Sequence, residues 1–139
     1  MNLPELLSDL TIHYNALIRQ AASHLGLTQS QAFHLISVPY EGVSMSRLSR
    51  KLGLDTSTLT RNIQKLEKMG LVERSADPYD KRIQNTALTQ GGGALVKKIE
   101  SLLLETSQLI LDHIDLEDQE HITTVLEKLV WSMDCAREE

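Results

Sequence analysis

Residues 43–90, VSMSRLSRKLGLDTSTLTRNIQKLEKMGLVERSADPYDKRIQNTALTQ, decide the fold. Ser44 is a natural N-cap for a short helix over Met45–Leu52. Gly53-Leu54-Asp55 supplies a tight turn, and Asp55 or Thr56 caps a second helix that ends near Met69-Gly70. Two short strands follow, Leu71–Arg74 and Gln84–Leu88. Between them lies Ser75-Ala-Asp-Pro-Tyr-Asp-Lys-Arg82, whose Asp77, Pro78 and Asp80 are turn residues. The order predicts a helix-turn-helix followed by a β-hairpin wing, a shape that fits the grooves of duplex DNA.

The second of these helices has two unlike faces. Leu59, Ile63 and Leu66 recur at helical spacing and predict a buried stripe. Ser57, Arg61, Gln64, Lys65 and Lys68 fall on the opposite side, with Thr58 at its edge. Small hydroxyls, an amide and long cations suit base edges and phosphates. Residues near the start of such a helix reach the bases, so Ser57, Thr58 and Arg61 are assigned to base contacts, and Lys65 and Lys68 to phosphate. On the wing, Arg82 with Lys81 beside it is suited to the negative minor groove. Asp80 is placed to hold the guanidinium. A plain solvated helix face and a hairpin ion pair to Asp77 or Asp80 are the simpler readings of the same residues.

Charge agrees with a local DNA-binding face. The chain is acidic, with 14 Lys+Arg against 19 Asp+Glu and a net charge of −5. Residues 44–82 nevertheless carry nine basic and five acidic side chains, while the remainder carries five and fourteen. Displacing counterions from DNA requires a positive face, not a basic protein.

Outside this stretch the chain reads as helical. A first helix from about Pro4 to His24 carries Leu6, Leu10, Tyr14, Leu17, Ile18 and Ala21 at helical spacing, and Gly26 follows it. Thr28-Gln-Ser-Gln31 fits a capping box for a second helix, which Pro39 ends. From Thr89 onward the chain is helical again, with Gly91-Gly-Gly93 at the junction between hairpin and helix. Leu95, Ile99, Leu102, Leu103, Leu109, Ile110 and Ile114 make that helix apolar over much of its circumference. Asp115 to Asp118 caps a last helix with a stripe of Ile122, Val125, Leu126, Leu129, Val130 and Met133. These terminal helices hold more apolar surface than a winged-helix core needs, which predicts a two-fold intermolecular interface. The expected fold class is mainly α (α+β): a winged helix-turn-helix DNA-binding domain with N- and C-terminal dimerisation helices. The expected division is 1–27 for the N-terminal helix, 28–90 for the DNA-binding region and 91–139 for the C-terminal helices.

Other chemistry finds little support. At 139 residues and 41% hydrophobic the chain is one domain, or one domain with helical extensions. No apolar run is long enough to span a bilayer, and no basic start precedes an apolar stretch, so a cytoplasmic protein is expected. The single cysteine, Cys135, excludes an internal disulfide framework. His113, Asp115, Glu117 and His121 gather near a helix junction but lack the i, i+4 histidine pair of a helical zinc site, so no metal is expected. No nucleophile triad or phosphate loop is present, and neither enzyme activity nor a cofactor is expected.

The chain resembles the MarR family of bacterial transcriptional regulators in four linked pieces: Ser57-Thr-Leu-Thr-Arg61, Leu66-Glu-Lys-Met-Gly-Leu-Val-Glu-Arg74, Asp77-Pro-Tyr-Asp-Lys-Arg82 and Leu88-Thr-Gln-Gly-Gly92. The resemblance implies a homodimer joined by its terminal helices, with two winged helices on double-stranded DNA at a palindromic operator. It implies that Arg82 either reaches the minor groove or pairs with the acid at the start of the recognition helix, here Asp55, which suggests an Asp55–Arg82 pair without DNA. It adds Arg74, at the wing base, to the DNA-facing set. It also implies a small aromatic or phenolic effector in a cleft, for which His13, Tyr14, Phe33, His34 and Met45 are candidate lining residues. One branch senses peroxide through an N-terminal cysteine, and this chain has none there. Two other readings stay open on sequence: a winged-helix protein-interaction module, and a DNA-binding protein without an effector.

Overall fold

The computed structural model describes residues 1–138, which form six helices and a small three-stranded antiparallel sheet. Residue 139, the last of the expected C-terminal region, lies outside the described residues. Two compact units divide the chain, Met1–Leu103 and Leu104 onward.

The first unit is built on local signals that close as expected. α1 (Leu3–Ser23) is capped by Asn2, whose side chain accepts from the Glu5 N–H at 3.1 Å. α2 (Gln29–Ile36) begins with a complete capping box: Thr28 Oγ1 accepts from Gln31 N–H at 3.1 Å, and Gln31 Oε1 accepts from Thr28 N–H at 3.0 Å. α2 stops at Ile36, three residues before the expected proline boundary. β1 (Val43–Ser44) was not legible beforehand, since two residues show no periodicity. Its identity rests on pairing, Val43 with Thr86 and Ser44 with Asn85. Ser44 also caps α3 (Met45–Leu52), accepting from Arg47 N–H at 3.2 Å. Gly53 then takes the left-handed conformation that lets the chain turn sharply into α4 (Thr56–Lys68).

The wing strands are β2 (Val72–Ala76) and β3 (Gln84–Leu88), and the sheet order is β1-β3-β2. β2 runs two residues beyond its expected end at Arg74. Ser75 and Ala76 are weak strand formers, but they pair with Asn85 and Gln84, and that ladder holds them extended. The core gathers Ile18, Ala22, Leu35, Leu48, Leu59, Ile63, Leu66 and Ile99, all essentially without solvent exposure. α4 therefore sits with its apolar stripe facing inward and its polar face outward.

α5 (Gln90–Leu111) begins against the wing base and contains the boundary between the two units. Its start is a close approach. Thr89 N–H donates to the Leu71 carbonyl, and Thr89 Oγ1 donates to the Gly70 carbonyl while accepting from Gly92 N–H. A side chain at Gly92 would collide with the Leu71 backbone. In the second unit, α6 (Leu116–Arg137) has no buried residue. Asp115 occupies its N-cap position without a side-chain hydrogen bond, so the expected acidic start acts through Glu117 and Asp118 in the first turn, near the positive helix end. Gln119 Nε2 donates to the carbonyls of Leu111 and Ile114, at 2.9 and 2.8 Å. Among the described residues no helix is long and apolar enough to cross a membrane.

Candidate nucleic-acid interface

The exposed face of α4 carries the residues expected there. Ser57, Arg61, Gln64, Lys65 and Lys68 are exposed and Thr58 is half-buried, while Leu59, Ile63 and Leu66 are fully buried behind them. At the helix start, the Asp55 carboxylate accepts from Thr58 N–H at 2.7 Å and from the Ser57 hydroxyl at 2.9 Å. These bonds, led by the Thr58 backbone N–H and helped by the charge of Arg61, hold its pKa below the ordinary value. Asp55 is therefore an ionised cap. With its proton engaged by Asp55, the Ser57 hydroxyl presents acceptor lone pairs outward. Arg61 Nη2 approaches Thr58 Oγ1 at 3.4 Å, a long contact that leaves the guanidinium extended along the exposed face.

The wing is a polar knot. Asp77 accepts from the backbone N–H groups of Tyr79 and Asp80, at 2.9 and 3.0 Å, and from Asn85 Nδ2 at 3.0 Å. The Asn85 amide is the largest cause of its lowered pKa, followed by the Tyr79 N–H. The Asp77 N–H in turn donates to the Ile83 carbonyl at 2.8 Å and closes the loop. Asp80 grips Arg82 through two parallel bonds, Nε to Oδ1 and Nη2 to Oδ2, each 3.0 Å. This fork geometry lowers the pKa of Asp80 and raises that of Arg82. The Arg82 side chain is still 90% exposed, so the carboxylate orients it without covering it. Lys81 is exposed beside it, and Tyr79 stands at the tip, 97% exposed.

The Asp55–Arg82 pair expected without DNA is not formed. Asp55 is satisfied by its own helix and Arg82 by Asp80, because partners two or three residues away require no long-range approach. Arg74, at the wing base, has a partner on α4. Its Nε donates to Glu67 Oε1 at 2.9 Å, both side chains being mostly buried, so it ties β2 to the last turns of α4. Glu67, Asp77 and Asn85 carry this framework and were not singled out on sequence as support residues. Only Asp77-Pro78 left a signal, as a turn former.

The five candidate effector residues have the following settings. His13 is exposed on α1. Tyr14 and Phe33 form a tilted ring pair with centroids 6.4 Å apart. Met45 is buried, and its sulfur accepts from Thr86 Oγ1 at 2.9 Å. His34 is 3% exposed, with both ring nitrogens engaged. An open groove of about 540 Å³ lies elsewhere, lined by His24, Leu25, Lys97, Lys98, Ser101 and Leu102. Among the described residues no three His, Cys, Asp or Glu side chains are placed to hold a metal ion.

The family model that matches the chain is that of the MarR family, over residues 27–84, the span of the helix-turn-helix and most of the wing. A crystal structure of MarR has a TM-score of 0.86 to this chain at 22% identity, covering 99% of this chain and 95% of that one. The apo form of wild-type MarR from E. coli gives 0.81 at 25% identity, covering 93% and 96%. A mutant MarR from E. coli complexed with operator DNA gives 0.75 at 25% identity, covering 91% and 92%. The helix-turn-helix and most of the wing therefore match the MarR family, and the chain is similar over most of its length to solved MarR structures.

Proposed function

We propose that this protein is a sequence-specific repressor that binds a palindromic operator as a homodimer and is released by a small-molecule effector. The observation that carries the reading is the pairing of two rigid, exposed elements. One is the hydroxyl, amide and cation face of α4, backed by a fully buried stripe. The other is the wing tip, where Asp80 presents Arg82 to solvent. Ser57, Thr58 and Arg61 read base edges in the major groove. Gln64, Lys65 and Lys68 hold the backbone, and Lys81 and Arg82 enter the minor groove. Arg74 serves this surface from behind through Glu67.

Dimerisation is supported by apolar surface with no cover in one chain. α1 exposes Leu3, Leu6, Leu10, Ile12 and Tyr14. α6 exposes Leu116, Val125, Val130, Trp131 and Met133. Exposed apolar side chains in such number mark interaction surfaces. The structural relatives include an S. aureus MepR–DNA complex and the operator complex of MarR. For the effector, the groove near His24 sets Lys97 and Lys98 around Leu25 and Leu102, a lining suited to a small aromatic or phenolic anion.

The test is fluorescence anisotropy with a duplex that the protein selects from a random-sequence pool, in a salt series with non-specific competitor. Competitor-resistant binding with a steep salt slope and a palindromic consensus is the expected result. Enrichment of no sequence would replace this reading with that of a protein-interaction module.

A further inference from the structure

Among the described residues two polar side chains sit in the core, Thr86 and His34, and His34 touches the recognition helix. Its Nδ1 lies 2.6 Å from the Ser30 carbonyl oxygen, one turn back on α2. A carbonyl only accepts, so Nδ1 carries a proton. The other nitrogen, Nε2, lies 3.0 Å from Asn62 Nδ2 on α4. An amide nitrogen only donates, so Nε2 is the acceptor. The ring is thus anchored to its own helix through Nδ1 and holds Asn62 through Nε2 across the seam between α2 and α4.

Apolar packing of Leu59, Ile63 and Leu66 against Ala32 and Leu35 stops short of the outer edge of that seam. A cavity of about 150 Å³ lies there, lined in part by Ser30, Gln31, His34, Asn62 and Lys65. The buried stripe sets which face of α4 points outward, and at the open edge of the seam a polar contact is left to set the finer rotation of the helix. Asn62 lies beside Arg61 in sequence and within one helical turn of Thr58 and Lys65. Holding Asn62 therefore sets the direction in which all three leave the helix.

We propose that His34 and Asn62 are positioning residues that fix the rotation of the recognition helix and thereby its sequence discrimination. The inference rests on the DNA-reading function proposed above. His34→Leu keeps apolar volume but cannot accept from Asn62, whereas His34→Gln can place an amide oxygen near the former Nε2. The ratio of specific to non-specific affinity is measured on the duplex selected by the wild-type protein. It should fall at least about fivefold in His34→Leu, the loss of roughly one aligned base contact. Non-specific binding and dimerisation should stay unchanged, and His34→Gln should regain most of the ratio. Should His34→Leu fail to fold, Asn62→Ala is read in the same way. Independently, long-range ¹H–¹⁵N spectra of the imidazoles should show His34 as the Nδ1–H tautomer. An Nε2–H tautomer, or an unchanged ratio in the variants, would overturn the proposal. A wild-type protein that selects no duplex refutes the DNA-reading function itself, while the tautomer spectrum still reports separately on the His34–Asn62 bond.

Discussion

Replacing Gly92 by alanine should destabilise the protein, whereas the same change one residue earlier should not. Both glycines lie in the first turn of α5. A Cβ at Gly91 would meet the Gly70 carbonyl oxygen at 3.6 Å and Thr89 Oγ1 at 3.8 Å, ordinary van der Waals contacts. Alanine there gains helix propensity and loses unfolded-state entropy, a stabilisation of about 0.5–1 kcal/mol. A Cβ at Gly92 would overlap the carbonyl group of Leu71, and backbone cannot swing aside as a flexible side chain does. Overpacking of this kind costs about 1–3 kcal/mol. Relief by moving α5 away would also stretch the Thr89 N–H bond to the Leu71 carbonyl, 3.1 Å, and the Gly92 N–H bond to Thr89 Oγ1, 3.0 Å. Each such bond contributes about 1 kcal/mol. After the propensity gain is subtracted, Gly92→Ala should lose roughly 2–3 kcal/mol. Urea unfolding of the two variants at one fixed protein concentration gives the comparison, since an oligomer's apparent stability depends on concentration. The variants should differ by about 3 kcal/mol in opposite directions from wild type. Equal stability of the two would refute the close approach of α5 to the wing base.

Arg82→Ala should weaken operator binding and lower the salt slope by about 1 while leaving the oligomer intact; unchanged affinity in an anisotropy titration would remove the wing from the interface. Glu67→Ala and Arg74→Ala should be non-additive, with a coupling of about 0.5–1 kcal/mol in a thermal double-mutant cycle, and simple additivity would mean the ion pair contributes nothing. Asp55, Asp77 and Asp80 have pKa values lowered by folding. Their contribution is therefore complete above the ordinary carboxylate range and is lost as pH falls below about 4. The protection factors of the Tyr79 and Asp80 N–H groups, read by NMR exchange relative to the unstructured rate at each pH, should fall across that window, and Asp77→Asn should flatten the response; protection that holds to pH 2 would contradict the carboxylate knot.

Much of the architecture was legible because it is written in short-range chemistry. The capping box of Thr28 and Gln31, the caps at Ser44 and Asp55, and the turn at Gly53 each involve residues within a few positions of one another. The stripe of Leu59, Ile63 and Leu66 needs only helical periodicity, and the polar face of α4 follows as its complement. From these, with the MarR-like text of the wing, the order of elements and the exposed residues of the recognition helix could be stated from sequence.

What tertiary structure alone decided involves partners far apart in the chain. β1 exists because β3 lies beside it, and β2 extends through Ser75 and Ala76 for the same reason. Arg74 turned to Glu67 across the junction of α4 and β2, because several acids lay within its sequence reach and only folded distances separate them. The contact of His34 with Asn62, 28 positions away, is likewise set by how α2 and α4 pack. Periodicity and capping act over one or two turns, so they specify elements and their faces. Which polar groups meet across elements depends on how those faces pack, and no local pattern encodes that distance.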